Sequence, residues 1–147
     1  MLFRSVRARA TRGQAVSIEE RTDYPFREDV EMIVRPEVLL HFPLHLRIPA
    51  WADGATVTLN GSPVPGVVPG EFLRIERVWR PGDKVLLHLP MKTEARPWYR
   101  GGVALTRGPL VFSLPVGEDW RKVTTGMKHP ATGQAADWEI VPTTAWN

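Results

Sequence analysis

The sequence contains no cysteine. That excludes a disulfide framework, a thiolate-bound zinc or iron–sulfur centre, and a thiol nucleophile. Long apolar runs are missing as well. Pro, His or Arg interrupts each hydrophobic stretch after a few residues, so no segment supplies the ~20 apolar residues of a membrane-crossing helix. There is no Gly-x-Gly-x-x-Gly, no phosphate loop and no Gly-x-Ser-x-Gly elbow, so neither a nucleotide cradle nor an exposed serine nucleophile is indicated. Helical periodicity is scarce, and the composition agrees: twelve glycines and fourteen prolines punctuate 147 residues. Both residue types break helices and mark turns, which favours many short strands. The length suits one domain, or one domain and a stub, with a core that needs no staples.

The formal charge of +3 comes from one end. The first twelve residues carry Arg4, Arg7, Arg9 and Arg12 and no acid, which leaves fifteen basic groups against sixteen acidic ones in the rest. A nucleic-acid surface needs basic groups clustered on a folded face. The body has no such run, and no nucleic-acid partner is expected. The leader lacks the continuous apolar stretch of a secretory signal, so a cytoplasmic location is expected. It is Arg-rich and acid-free, as mitochondrial presequences are, but the preferred reading is a frayed terminus or residues foreign to the domain.

Period-two alternation then marks the strands. Residues 14–22 alternate around Val16 and Ile18. After the turn residues Asp23-Tyr24-Pro25, residues 29–35 put Val30, Met32 and Val34 on one side. Residues 42–48 alternate most cleanly, with Phe42, Leu44, Leu46 and Ile48 facing one way and His45 and Arg47 the other. Residues 56–59 run into Asn60-Gly61, the pair that suits a type I′ hairpin turn. The Pro-rich stretch 63–70 reads as an edge or loop. Residues 72–79 and 84–89 flank a turn at Pro81-Gly82-Asp83, and further strands fit 102–105 and 110–114. Residues 117–137 read as a loop, and 138–147 hold at most one short strand. The pattern predicts an all-β fold, an antiparallel β-sandwich of about seven to nine short strands with a less regular C-terminal tail. The expected organisation is a basic leader over 1–13, the sandwich over 14–100, and continuation strands over 101–147 that begin a following β region.

Few residues point to catalysis. Sugar hydrolysis needs two carboxylates flanking the scissile bond. The candidate pairs Glu19–Glu20, Asp29–Glu31 and Glu71–Glu76 each have an ordinary explanation as a solvated face or as partners of nearby arginines. His41 and His45 share a strand face about 13 Å apart, too far to grip one ion. They read as histidines on a wet sheet, with His88 beside them only if its strand were adjacent. No catalytic residue, metal ligand or cofactor is expected. The six tryptophans, Trp51, Trp79, Trp98, Trp120, Trp138 and Trp146, are more suggestive. An indole can stack on the C–H face of a sugar ring, and it serves equally well in a core or an interface. Trp79, ending an alternating strand, reads as core. Trp51, Trp98 and Tyr99 lie in turn-like contexts where exposure is open to them, although core or inter-domain contact is the preferred reading for each.

Several words in order carry a family resemblance. They are Arg21-Thr22-Asp23-Tyr24-Pro25-Phe26, Phe42-Pro43-Leu44-His45-Leu46-Arg47-Ile48-Pro49-Ala50-Trp51, Val57-Thr58-Leu59-Asn60-Gly61, and Arg77-Val78-Trp79-Arg80-Pro81-Gly82-Asp83-Lys84-Val85. Leu89-Pro90-Met91, Val103-Ala104-Leu105-Thr106-Arg107-Gly108-Pro109-Leu110 and Asp137-Trp138-Glu139-Ile140-Val141-Pro142 continue the series. Over about 14–115 and 137–147 the chain resembles the accessory β-sandwich region of glycoside hydrolase family 127. The resemblance implies a parent β-L-arabinofuranosidase acting on plant-derived glycans, built as an (α/α) helical barrel followed by β-sandwiches. It further implies a glutamate acid/base and a zinc-held cysteine nucleophile on the barrel. A chain without cysteine can hold neither that nucleophile nor thiolate ligands, so no catalytic residue carries across. Residues 1–13 do not match the family segment expected there, and both ends look cut, so a fragment is expected.

The function so read is a noncatalytic sandwich module supporting the catalytic barrel, with a free-standing carbohydrate-binding module as the alternative. Trp51, Arg96, Trp98 and Tyr99 are the candidate contacts to barrel or glycan. The expected partners are the helical barrel of a parent hydrolase, a second copy through an orphaned face, or an arabinose-containing glycan, with no nucleic acid and no membrane.

Overall fold

The computed structural model describes residues 2–9, 13–113, 117–123 and 137–144. They fall into two units, 1–112 and 113–147. Thirteen strands occur among the described residues, all paired antiparallel, and no described helix is long and apolar enough to cross a membrane.

In the first unit, β1 (Leu2–Arg9), β2 (Ala15–Thr22), β3 (Asp29–Pro36), β8 (Asp83–His88), β5 (Thr56–Leu59) and β6 (Ser62–Pro63) form one six-stranded sheet in that order. β4 (Leu40–Arg47) and β7 (Phe72–Trp79) pair only with each other. Alternation makes this second layer. Leu40, Phe42 and Leu46 of β4 are buried and Leu44 is half-buried, while His41, Pro43 and Arg47 are exposed. On β7, Leu73, Ile75 and Trp79 are buried and come opposite Leu46, Leu44 and Leu40. This apolar face packs with Val16, Val34, Val57, Val85 and Leu87 of the larger sheet, which is the sandwich the alternation predicts.

Trp79 is the largest side chain with no exposed surface. Its ring stacks on Phe42 with centroids 5.6 Å apart, and its Nε1–H donates to the Phe42 carbonyl at 2.9 Å. The indole therefore fills volume and satisfies its single donor inside the core. Across the sheet, Asn60 and Gly61 take φ of 51° and 84°, the left-handed pair a type I′ turn requires. Asn60 also ties that turn to the start of β8. Its Nδ2 donates to Asp83 Oδ1 at 2.9 Å and its Oδ1 accepts the Lys84 N–H at 2.8 Å. Asp83 Oδ2 in turn accepts the Arg80 N–H at 2.8 Å. Burial pushes the Asp83 carboxyl up, but the Arg80 N–H, the Asn60 amide and the Arg77 and Arg80 guanidiniums outweigh it and hold the group below its usual range.

The outer face of the large sheet is a ladder of charges. Glu19 pairs with Arg21 at 2.7 Å and with Arg35 at 3.4 Å, and Glu31 pairs with Lys84 at 3.8 Å. The hydrogen bond from Arg21 holds the Glu19 carboxyl below its usual range, against a smaller opposing effect of desolvation. Ile33 lies opposite Glu19 and Lys84 in this ladder and is only 3% exposed.

Three elements depart from the pattern reading. The segment read as a frayed leader is β1, paired with β2 through all eight residues. An edge strand buries little, so it needs no apolar alternation and left none to detect. β9 (Thr93–Pro97) is exposed along its whole length and likewise carries no period. It joins β10 (Val103–Arg107) and β11 (Leu110–Phe112) in a three-stranded ribbon ordered β11-β10-β9.

In the second unit, β12 (Glu118–Val123) lies where a loop was expected and pairs with β13 (Asp137–Pro142). Charged residues flank Trp120 and hide the strand pattern. Trp120 and Trp138 meet edge-to-face at 6.5 Å, and the Trp120 Nε1–H donates to Glu118 at 2.8 Å. Trp146 lies outside the described residues.

Candidate functional site

The link between β9 and β10 is a short 3-10 turn over Tyr99–Gly101. The Trp98 N–H donates to the Gly102 carbonyl at 2.7 Å and the Gly102 N–H donates back to the Tyr99 carbonyl at 3.2 Å. Arg100 sits at its centre with φ of 57°, a left-handed residue that reverses the chain within four positions. This tight reversal throws the side chains outward: Trp98 is 72% and Tyr99 75% exposed. The Arg100 guanidinium lies 5.2 Å from the centre of the Tyr99 ring. Arg96, one turn of the pleat back, is engaged by Glu94, with Nη2 at 2.7 Å and Nε at 3.1 Å from Oε2.

Three of the four candidates, Arg96, Trp98 and Tyr99, thus share one tip. The preferred reading of Trp98 and Tyr99 from the sequence is core or inter-domain contact, and their exposure takes both rings out of the core of the first unit. Trp51 is elsewhere. It follows β4 in the turn closed by the Ala52 N–H to the Pro49 carbonyl at 3.0 Å, and it is half-buried against the sandwich core.

Trp51 lies at the opposite end of the ribbon, where the β10–β11 turn meets the sandwich. A Cβ at Gly108 would stand 2.8 Å from Met91 Sδ and 3.3 Å from Trp51, and Gly108 has φ of 56°. Glycine is what lets the backbone lie this close with this sign of φ. Beside it, Glu28 Oε1 accepts from Arg107 Nη2 at 2.9 Å and from the Met91 N–H at 3.0 Å. The same carboxylate stands 3.9 Å from His88 Nε2, and His88 Nδ1 is 2.6 Å from Asp29. Glu28 and Arg107 are 79 positions apart in sequence, and no local signal could have paired them.

The other groups weighed for chemistry are occupied or dispersed. His41 and His45 share the outer face of β4, opposite Val78 and Arg74, while His88 belongs to the other sheet. Glu76 pairs with Arg74 at 2.7 Å. Among the described residues no three His, Asp or Glu side chains come together as a metal site. An open groove of about 620 Å³ runs between the Asn60–Gly61 turn and β7, lined by Asn60, Ser62, Pro63, Ile75 and Arg77, and none of the four candidates borders it.

Comparison with known proteins gives this geometry a context. A GH127 β-L-arabinofuranosidase from Geobacillus stearothermophilus is similar at 27% identity with a TM-score of 0.65, over 94% of this chain and 28% of that one. A structure described as a glycoside hydrolase is similar at 26% identity with a TM-score of 0.66, over 76% of this chain and 20% of its own. The GH127 β-arabinofuranosidase BT3674, at 21% identity and a TM-score of 0.67 over 96% of this chain and 27% of that one, shares the fold. This chain therefore spans between 20% and 28% of the length of the enzymes it resembles. No curated protein matches it. The family model "Beta-L-arabinofuranosidase, GH127 middle domain" matches residues 1–91, which takes in β1 and stops just before the ribbon. On that match, over more than half of its residues, the chain belongs to glycoside hydrolase family 127 as a middle domain of the family.

Proposed function

We propose that this chain is the noncatalytic support module of a GH127 β-L-arabinofuranosidase, and that bond cleavage belongs to the remainder of such an enzyme. The match of residues 1–91 to the middle domain of the family carries this reading. The complete absence of cysteine supports it, because the family resemblance implies a thiolate nucleophile. So does the engagement of Glu19, Glu28 and Glu76 by arginines, since a carboxylate clamped by guanidinium is a poor general acid. The module offers rigid strands and outward loops, which suits holding and shaping rather than reacting. The test is hydrolysis of p-nitrophenyl β-L-arabinofuranoside by the purified chain. The expected rate equals that of buffer. Turnover abolished by replacing one of the chain's own carboxylates would sink the reading.

A second reading rests on the exposure of Trp98 and Tyr99. Two bared rings beside Arg96 and Arg100 suit stacking on a sugar with polar contacts at its rim. Calorimetric titration with arabino-oligosaccharides separates the two. Heat lost in a Trp98→Ala variant favours glycan contact at the tip, and no heat with folded protein favours support alone.

A further inference from the structure

Among the described strands β4 and β7 pair only with each other, so their layer has two open edges, and the two edges differ. The bonding phase is fixed at one end, where the Ile48 N–H donates to the Glu71 carbonyl and the Gly70 N–H donates to the Ile48 carbonyl, both at 2.9 Å. Backbone groups in an antiparallel pair turn toward the partner at every second residue. Counting back from Ile48, the residues Leu46, Leu44, Phe42 and Leu40 therefore bond across to Leu73, Ile75, Arg77 and Trp79. The alternate residues aim their backbone groups outward: His41, Pro43, His45 and Arg47 on β4, and Phe72, Arg74, Glu76 and Val78 on β7. Proline has no N–H, so Pro43 interrupts the β4 edge, a recurrent way of blunting such a rim. β7 has no interruption. Its outward Val78 carbonyl takes a bond at 3.2 Å from the neighbouring Arg77 Nε–H, and the open groove beside the Asn60–Gly61 turn runs along residues 75–78.

We propose that β7 is a self-pairing edge whose partner is β7 of a second copy of this chain. The order of its residues selects that occupant. Two copies set antiparallel about Ile75 bring Arg74 of each opposite Glu76 of the other, and Phe72 of each opposite Val78 of the other. All four are outward-aimed positions, so the pairs that match in charge are also the pairs whose backbones bond, giving about eight hydrogen bonds across a two-fold axis. A one-residue slip sets outward groups against inward ones, and a two-residue slip sets Arg74 against Arg74 or Glu76 against Glu76. Within one strand Arg74 and Glu76 already pair at 2.7 Å, with side chains 57% and 41% exposed, so the two copies would share a cluster of alternating charge. To match Arg74 and Glu76, an antiparallel neighbour needs a basic residue two positions before an acidic one. Among the described strands β7 alone holds that order, and residues 113–147 hold it nowhere, so the second unit does not supply the match. One strand edge covers less than the ~800 Å² per side of a standard interface, so the dimer should be reversible and depend on concentration.

Sedimentation of the full chain tests this. The apparent mass should climb from 16.6 kDa toward twice that value between about 10 µM and 1 mM. Over the same range the Arg74 and Glu76 amides should become slower to exchange with solvent. Arg74→Glu sets acid against acid at both charge contacts and should weaken the dimer about tenfold or more. Glu76→Arg should do the same with bases. Both side chains are exposed, so neither change should move the melting temperature by more than about 2 °C. Mixed in equal amounts, the two variants should form a heterodimer, because each contact between positions 74 and 76 is then of opposite charge. The double variant Arg74→Glu/Glu76→Arg should regain the association of the original chain. Should a single variant unfold, the double variant and the amide exchange still decide. A chain that stays at 16.6 kDa throughout overturns the proposal, and Arg74 and Glu76 amides already protected in that monomer would give the edge to residues 113–147. A dimer that ignores the charge changes, or that leaves those amides unprotected, belongs to another surface and overturns it equally. None of these outcomes touches the support-module reading, which the hydrolysis assay judges.

Discussion

The sandwich and the ribbon are built from the same antiparallel pairing, yet they treat their apolar residues in opposite ways. Leu40, Phe42, Leu73, Ile75 and Trp79 face Val16, Val34, Val57 and Val85 across two layers, and every one is buried. Leu105, Phe112 and Val103 have the same alternation on the ribbon, and among the described residues of the first unit no second layer lies above them. Pairing alone satisfies the backbone, but only a facing layer removes apolar surface from water, and that removal is what stabilises. Substitutions should therefore cost much in one region and little in the other.

The widest gap belongs to Trp79→Ala. Removing a fully buried indole that also donates to the Phe42 carbonyl should cost about 3–5 kcal/mol, read as a lower midpoint in urea unfolding. A normal midpoint would mean the two layers do not close over Trp79. Next comes the clamp between Asn60 and Asp83. Asn60→Ala should cost about 1–3 kcal/mol by leaving Asp83 and the Lys84 N–H without their amide partner. The Asp83 carboxyl titrates below its usual range when folded and within it when unfolded. Its stabilisation is therefore complete above the unfolded value and is lost as pH falls through the folded one. Asp83→Asn should flatten that acid limb of the stability profile, and an unchanged slope would refute the assignment.

A smaller effect tests whether the ribbon is a separate cooperative piece. Glu28→Gln weakens a partly exposed ion pair worth about 1 kcal/mol. It should speed hydrogen exchange at amides of residues 93–112 while those of β3 and β8 keep their protection. Equal acceleration in both would merge the two regions into one cooperative unit. Least of all should Val103→Ser matter, at under about 0.5 kcal/mol in the isolated chain. A larger loss in a denaturant titration would show that the ribbon's apolar face is already covered.

The same contrast explains what could be read from the sequence. The alternation of residues 42–48 and 72–79 is legible because each strand has one dry and one wet face, and Asn60-Gly61 is legible because the turn needs those two backbones. β1 and β9 left no such trace, since an edge or bared strand selects for no apolar period. Trp98 and Tyr99 could be named as candidates from their turn-like context, but their exposure could not. It depends on a reversal through left-handed Arg100 and Gly101, of which only the glycine marks a turn in the sequence. The joint of Glu28 with Arg107 was beyond reach for a different reason, because only the fold brings residues 79 positions apart together.

The full-length pairing of β1 with β2 has a practical consequence for anyone handling this protein. Trimming the polypeptide at residue 13, the cut its basic composition invites, would strip away a sacrificial border. The newly bared rim of Ala15–Thr22 would offer the unpaired backbone groups of about every second residue beside Val16 and Ile18, the others staying bonded to β3. Such a rim invites strand addition between molecules and the growth of fibres. A shortened product should scatter light and bind thioflavin where the longer one stays clear.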